Sequence, residues 1–238
     1  MNIIPYADEK PITGGEYEKI RETALEGISR SRREHILSVE REAVMMAEAL
    51  FPRLGIPSEY IYDIRTAAIL HDIKKESDYD SQISICEKGG MSLTDADRAS
   101  LTVLHSFAGA YAAREKYGIG KRVFDAIFRH TVGDGDMSVF DKIIFLADYT
   151  EPTRTYEGCR RLHEYFVSRK DSVESEADAI SLIDECVAMC AVSTLEMLSK
   201  NRYSIHPKTV ETAESILSVH SGEESFSELR RRLDNIRK

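Results

Sequence analysis

This chain lacks the features that point to a membrane, an oxidising compartment or a nucleic acid. No apolar run approaches the length of a transmembrane helix, and the longest stretches, such as Ile143 to Ala147, are short. The N-terminal stretch from Met1 to Pro11 carries Asp8 and Glu9 and has no apolar h-region, which argues against a secretory signal. Only four cysteines occur, Cys86, Cys159, Cys186 and Cys190, without CxxC spacing or the density of a disulfide scaffold. Cys186 and Cys190 fall four apart and would share a helix face. All are expected as small buried residues in a reducing cytosol, which makes the protein cytoplasmic. Positive charge is in deficit: 31% of residues are charged, yet the formal net charge is -9 at pH 7. Such a chain is poorly suited to wrapping nucleic acid or lying on an anionic membrane. A small anionic substrate stays open, because a local cationic pocket or a metal decides that. Period-2 alternation, internal repeats and low-complexity linkers are absent too.

What the chain has is helical periodicity. Its 238 residues, 42% of them apolar, suffice for one compact domain with an added segment. A first helix is expected from about Glu16 to Gly27. A second follows, capped by Ser29 or Ser31, with an apolar stripe of Ile36, Val39, Ala43, Met46, Ala47 and Leu50. Phe51-Pro52 and Gly55-Ile56-Pro57 end it, and Ser58 with Ile61 and Ile64 opens a third that carries Ala67, Ala68 and Leu70. Lys74 to Asp97 reads as a short helix between loops. Further helices are expected over about Leu101 to Lys116, Lys121 to Thr131, from Ser138 to Pro152, and Ala177 to Ser199. Pro207 fits the first position of another. The stretch from Phe226 to Lys238, with Arg230 to Arg232, reads as a solvated terminal helix.

Six ionisable side chains on these helices carry the chemistry. His35 borders the apolar stripe of its helix. His71 follows Ile61, Ile64 and Ala68 at steps of three, four and three. His105 keeps the rhythm of Leu101 and Ala108, and His130 completes Val123 and Ile127. Asp148 lies four beyond Ile144, and Asp72 adjoins His71. A lone histidine on such a stripe is usually a hydrogen-bonded core residue. Several on separate helices, all facing the interior with aspartates, are hard to bury unless a metal takes up neutral imidazole and ionised carboxylate. Helical bundles build metal sites in this way. His163, His206 and His220 do not share the pattern and read as structural or surface residues.

At these residues the sequence resembles the HD-domain phosphohydrolase superfamily. The resemblance rests on Arg32-Arg33-Glu34-His35, Ala67-Ala68-Ile69-Leu70-His71-Asp72-Ile73-Lys74-Lys75 and Phe145-Leu146-Ala147-Asp148. His105-Ser106-Phe107-Ala108-Gly109-Ala110, Arg129-His130-Thr131-Val132-Gly133 and Asp148-Tyr149-Thr150-Glu151-Pro152-Thr153-Arg154 are similar to its YqeK-like branch, the symmetrical bis(5'-nucleosyl)-tetraphosphatases. Ile205-His206-Pro207-Lys208-Thr209 echoes the same branch. The resemblance implies an all-α HD-domain helical bundle over residues 1–217, with a C-terminal helical tail over 218–238. Residues 155–184 match poorly, and Lys74 stands where relatives commonly have a small residue.

The resemblance further implies two divalent metal ions. His35, His71, Asp72 and Asp148 would hold one, and His105 and His130 would complete the second site, with Asp72 between them. Imidazole and carboxylate suit iron, manganese or zinc, and the family favours iron. The implied reaction cleaves diadenosine tetraphosphate to two ADP, with Asp72 and Lys75 catalytic. Lys75, Arg129, Thr131, Gly133 and Arg154 are the candidate substrate contacts. Two of them have a plainer role as well, Lys75 as a solvated lysine at a helix C-terminus and Gly133 as a helix cap. Other readings keep the scaffold and change the task. They are a nucleoside phosphatase, a cyclic dinucleotide phosphodiesterase (disfavoured by the lack of a GYP-type motif), and a nucleotide-binding regulator. A purely structural helical protein is the fourth. The poorly matched segment is open to two readings, a homodimer surface or a cap.

Overall fold

Local sequence signals set the ends of most helices. In the computed structural model, which describes residues 3–236, twelve α-helices follow one another and no strand occurs among the described residues. They are α1 (Gly14–Ala24), α2 (Arg30–Leu50), α3 (Ile61–Leu70), α4 (Tyr79–Lys88), α5 (Asp95–Ala99) and α6 (Leu104–Tyr117). Then come α7 (Lys121–Arg129), α8 (Val139–Thr150), α9 (Glu157–Lys170), α10 (Glu176–Lys200), α11 (Pro207–Val219) and α12 (Ser227–Ile236). Met1, Asn2, Arg237 and Lys238, the outermost residues of the two terminal stretches read from sequence, lie outside the described residues. No helix among the described residues is long and apolar enough to cross a membrane.

Ser29 caps α2 by accepting from the Arg32 amide, and Ser138 opens α8 in a reciprocal capping box with Asp141. Pro207 takes the first position of α11, with the His206 side chain as its cap. Several boundaries differ from expectation. The first helix begins at Gly14, because Glu16 is the third residue of a capping box set by Thr13 rather than the start. The helix expected to run to Thr131 stops at Arg129, so His130 and Thr131 sit in a turn. The charged stretch after Arg154 folds as α9 and buries Cys159, Leu162 and Phe166 on one face.

The main core gathers the inner faces of α2, α3, α7, α8 and α10. α8 is its axis: Ile143, Ile144, Leu146 and Ala147 are fully buried. Each of the larger three contributes roughly 1.5–3 kcal/mol of burial, and truncating Leu146 to alanine would cost about 2–5 kcal/mol. All four cysteines are buried and free. Arg122 is fully buried as well; it donates to Asp63 at 2.7 Å and to the carbonyls of Pro5, Tyr6 and Glu9, tying the N-terminal segment to α3 and α7.

The terminal helix is docked rather than solvated. Phe226, Leu229 and Leu233 enter the main core. Arg232 pairs with Glu196 on α10 at 2.6 Å, and Arg230 donates to the carbonyls of Leu217, His220 and Glu223. Only Arg231 of the three keeps to the exposed face, paired with Glu228. The arginine run conceals an apolar stripe at steps of three and four.

Candidate metal centre

Helix ends bring the six candidate side chains together. His35 comes from the second turn of α2, and His71 and Asp72 from the end of α3. His105 lies in the first turn of α6, His130 just past α7, and Asp148 in the last turn of α8. His35, His71, Asp72, His105 and His130 are buried, while Asp148 is partly exposed. Glycine makes room here: a Cβ on Gly109 of α6 would stand 3.2 Å from the His71 carbonyl oxygen.

Each imidazole is held from behind. The Nδ1 atoms of His71, His105 and His130 lie 2.7, 2.8 and 2.7 Å from the carbonyl oxygens of Ala68, Thr102 and Ile127. His35 Nδ1 lies 3.0 Å from the Glu151 carboxylate. A carbonyl oxygen only accepts, so these three rings carry their proton on Nδ1 and turn an Nε2 lone pair inward.

The inward atoms form two sets around the Asp72 carboxylate, and a third set of His71, His130 and Asp148 joins them. Asp72 Oδ2 is 3.5 Å from His35 Nε2 and 3.6 Å from His71 Nε2, and Asp148 Oδ1 lies 3.1 Å from His35 Nε2. Asp72 Oδ1 is 3.2 Å from His105 Nε2 and 3.7 Å from His130 Nε2. Within each of the two sets around Asp72, two Nε2 atoms face each other at 3.3 Å. Asp72 Oδ1 is buried without a hydrogen-bond partner.

Opposed Nε2 atoms and an orphaned buried oxygen are costly in a closed core, even with Lys75 and Thr131 approaching His105. A divalent cation satisfies all of them, and the donor set of imidazole nitrogens and carboxylate oxygens fits one. His35, His71 and Asp72, and likewise Asp72, His105 and His130, place their donor atoms within 4.8 Å of one another.

The electrostatics agree. Burial pushes His71 down to about 4 and His105 down to about 3, so both rings are neutral at physiological pH. Burial also acts against the charged forms of Asp72 and Asp148. The imidazoles around Asp72, and His35 with Arg154 beside Asp148, outweigh it and hold both carboxyls well below the usual range. His35 differs. Burial lowers its pKa, but hydrogen bonds to Asp148, Asp72 and Glu151 raise it to about 10.

The candidate substrate contacts divide. Lys75 Nζ lies 3.2 Å from His105 Nε2, Thr131 Oγ1 lies 3.1 Å from the same atom, and Arg154 donates to Asp148 at 2.5 Å. These three border the centre. Arg129 does not: it donates to Asp141 and to the Asp136 carbonyl, at 2.7 and 2.9 Å, away from the histidines. Gly133 is a backbone position, with φ +72 and an amide donating to the Arg129 carbonyl; a Cβ there would meet Thr212 Oγ1 at 2.3 Å.

Two residues of the site carry no role in the sequence reading. Arg32 donates to Asp72 Oδ2 at 2.5 Å, and its place three residues before His35 on one helix face was the available signal. Glu151 is fully buried, holds His35 Nδ1 and accepts from Thr153, and these hydrogen bonds take its carboxyl down to about 2 against the effect of burial. The remaining histidines stand apart. His163 pairs with Glu42, His206 with Asp97 and His220 with Asp184.

Comparison with known proteins places this geometry. The HD domain family model matches residues 32–153, just over half the chain and the span that holds all six side chains. The chain belongs to the HD-domain family. Within it, the chain is homologous to proteins named symmetrical bis(5'-nucleosyl)-tetraphosphatase. The one from Halalkalibacterium halodurans is 32% identical over 152 residues, 63% of this chain and 74% of that protein. The one from Staphylococcus aureus is 26% identical over 200 residues, 82% of this chain and 91% of that protein. A crystal structure from Clostridium acetobutylicum, described as a predicted HD superfamily hydrolase involved in NAD metabolism, superposes with a TM-score of 0.72. It is 27% identical and covers 85% of this chain and 97% of its own.

Proposed function

We propose that this HD-domain phosphohydrolase cleaves dinucleoside tetraphosphates symmetrically, converting diadenosine tetraphosphate to two ADP. The observation that carries the reading is Asp72. Its two oxygens face two separate pairs of inward Nε2 atoms, and one of those oxygens has no hydrogen-bond partner. His35, His71, Asp72 and Asp148 would hold one divalent cation, and His105 and His130 a second, with Asp72 shared. Iron is the favoured metal; manganese and zinc suit the same donors. Such ions supply a nucleophile near neutral pH and offset charge on the attacked phosphoryl group and the leaving oxygen.

The reaction adds water across the central phosphoanhydride. One phosphorus gains the water oxygen, the bridging oxygen leaves on the other, and a proton is released or taken up so that two ADP result. Lys75 and Arg154, on opposite sides of the centre, are placed to neutralise phosphate charge. Thr131 offers a hydroxyl to the same chain. The reading assigns Arg129 and Gly133 to the scaffold. It takes the catalytic unit to run to about Leu217, with the tail as a docked support.

A second reading, hydrolysis of an NAD-type dinucleotide, draws on the description of the Clostridium relative. Metal-loaded protein given diadenosine tetraphosphate, NAD, ADP and a cyclic dinucleotide separates the two. ADP as sole product from the first compound supports the proposal. Turnover of NAD alone would replace it, and products of unequal phosphate length would refute the symmetrical cut.

A further inference from the structure

A symmetrical cut sets a condition on the protein around it. The reacting centre must lie midway along the substrate, with equal reach to a nucleoside on either side. Two cavities adjoin the centre. The first, of about 350 Å³, reaches the centre through His130 and Asp148 and is bounded by Arg154, Tyr156 and Met197. The second, of about 660 Å³, reaches it through Lys75 and Thr131 and is bounded by Tyr79, Leu198 and Tyr203. Both volumes fall in the roughly 300–1,000 Å³ range of small-molecule sites.

The two cavities share a wall of Thr131, Thr194 and Met197. Thr194 and Met197 belong to α10, outside the 32–153 span matched by the family model. Each cavity has a cation toward the centre, Arg154 in one and Lys75 in the other. Each also has a tyrosine exposed at its rim: Tyr156 is 54% exposed and Tyr203 is 63% exposed. Large aromatic surface left in water beside an apolar cavity is what a stacking base would cover.

We propose that these cavities are paired nucleoside sites, which take the two halves of one dinucleoside polyphosphate and stack its bases on Tyr156 and Tyr203. The inference rests on the hydrolytic reading above and extends it to substrate selection. α10 thereby acts as the element that measures the substrate, while the HD helices carry the chemistry.

The test is equilibrium binding of diadenosine tetraphosphate with a methylene group in place of its central bridging oxygen, to metal-loaded protein. Tyr156→Ala and Tyr203→Ala should each weaken binding about tenfold, the usual effect of losing one base stack. The double variant should lose about a hundredfold, because separate sites act additively. Adenosine tetraphosphate, which has one nucleoside and can use either site, should lose little in each single variant and no more than about tenfold in the double. Phenylalanine at either position should restore binding, and unchanged thermal unfolding checks the fold. Kd within twofold of wild type in either single variant overturns the pairing, as does a double variant no worse than a single. Turnover of the natural compound is measured alongside. Two ADP with tyrosine-indifferent binding keeps the hydrolytic reading and rejects the pairing. Tyrosine-dependent binding with no ADP does the reverse.

Discussion

The six-residue centre and a smaller cluster of buried histidine and aspartate near the C-terminus are built on opposite terms. Near the C-terminus, Asp184 accepts from Lys142 at 2.5 Å through one oxygen and pairs with His220 Nε2 at 2.9 Å through the other. His220 Nδ1 reaches Glu223, and its ring stacks on Phe226. Every polar atom named there has a protein partner. At the centre, two pairs of Nε2 atoms face each other and Asp72 Oδ1 has no hydrogen-bond partner. Burial and residue type are the same in both. Satisfaction of the polar atoms separates a cluster that holds the fold together from one whose donor atoms fit a divalent cation.

The sharpest way to break this contrast is to remove one aspartate from each cluster. Asp72→Asn should lower hydrolysis by on the order of 10³ or more and empty the centre of metal, since it removes several kcal/mol of charge stabilisation; metal-free stability falls as well, because Arg32 loses its carboxylate partner. Asp184→Asn should leave metal content intact and cost about 3–5 kcal/mol in urea unfolding. If both variants lose stability alike and neither loses metal, the contrast fails.

Chelation probes the same difference with milder means. Metal supplied at a hundred times its Kd should stabilise wild type by about 2.7 kcal/mol. For a chain of this size that is a rise in Tm of roughly 5–10 °C over the chelated protein. Calorimetry reads it, and Asp72→Asn should show no rise.

A smaller effect is expected one step behind the centre. Glu151→Gln should weaken metal binding about 10–100-fold, the usual result of losing the group that orients a ligand histidine. Competition with a chromogenic chelator measures this, and unchanged affinity would make Glu151 a helix-end residue only.

The C-terminal cluster supplies the smallest effect. Burial disfavours charged His220, but hydrogen bonds to Asp184 and Glu223 raise its pKa above the ordinary value. A group raised in the folded state contributes stability that is complete below the unfolded pKa of about 6.5 and is lost as pH rises through the folded one. Wild type should thus lose on the order of 1 kcal/mol relative to His220→Phe as pH climbs past that point. Amide exchange on α12 follows the change. A difference between the two proteins that does not vary with pH would show that His220 acts by packing alone.

The ends of α2, α8 and α11 were legible because Ser29, Ser138 and Pro207 act within one turn of themselves. The inward set was legible for a similar reason: His35, His71, His105 and His130 each continue an apolar rhythm on their own helix. Residues whose partners lie far along the chain were not. Arg129 resembles a phosphate contact in sequence, but Asp141, the capping-box partner of Ser138 in the next helix, competes for it and wins. Glu151 looks like a residue before a proline, and only the return of α8 against α2 brings it to His35. In α12, consecutive arginines masked the spacing of Phe226, Leu229 and Leu233.

The most direct test of the metal centre is elemental analysis of protein purified without chelator, comparing wild type with His71→Ala/Asp72→Ala. The expected result is two equivalents of iron, manganese or zinc per chain in wild type and background in the variant. Wild type that stays free of metal under every reconstitution, with a variant that is merely less stable, would make these histidines core residues and contradict the account.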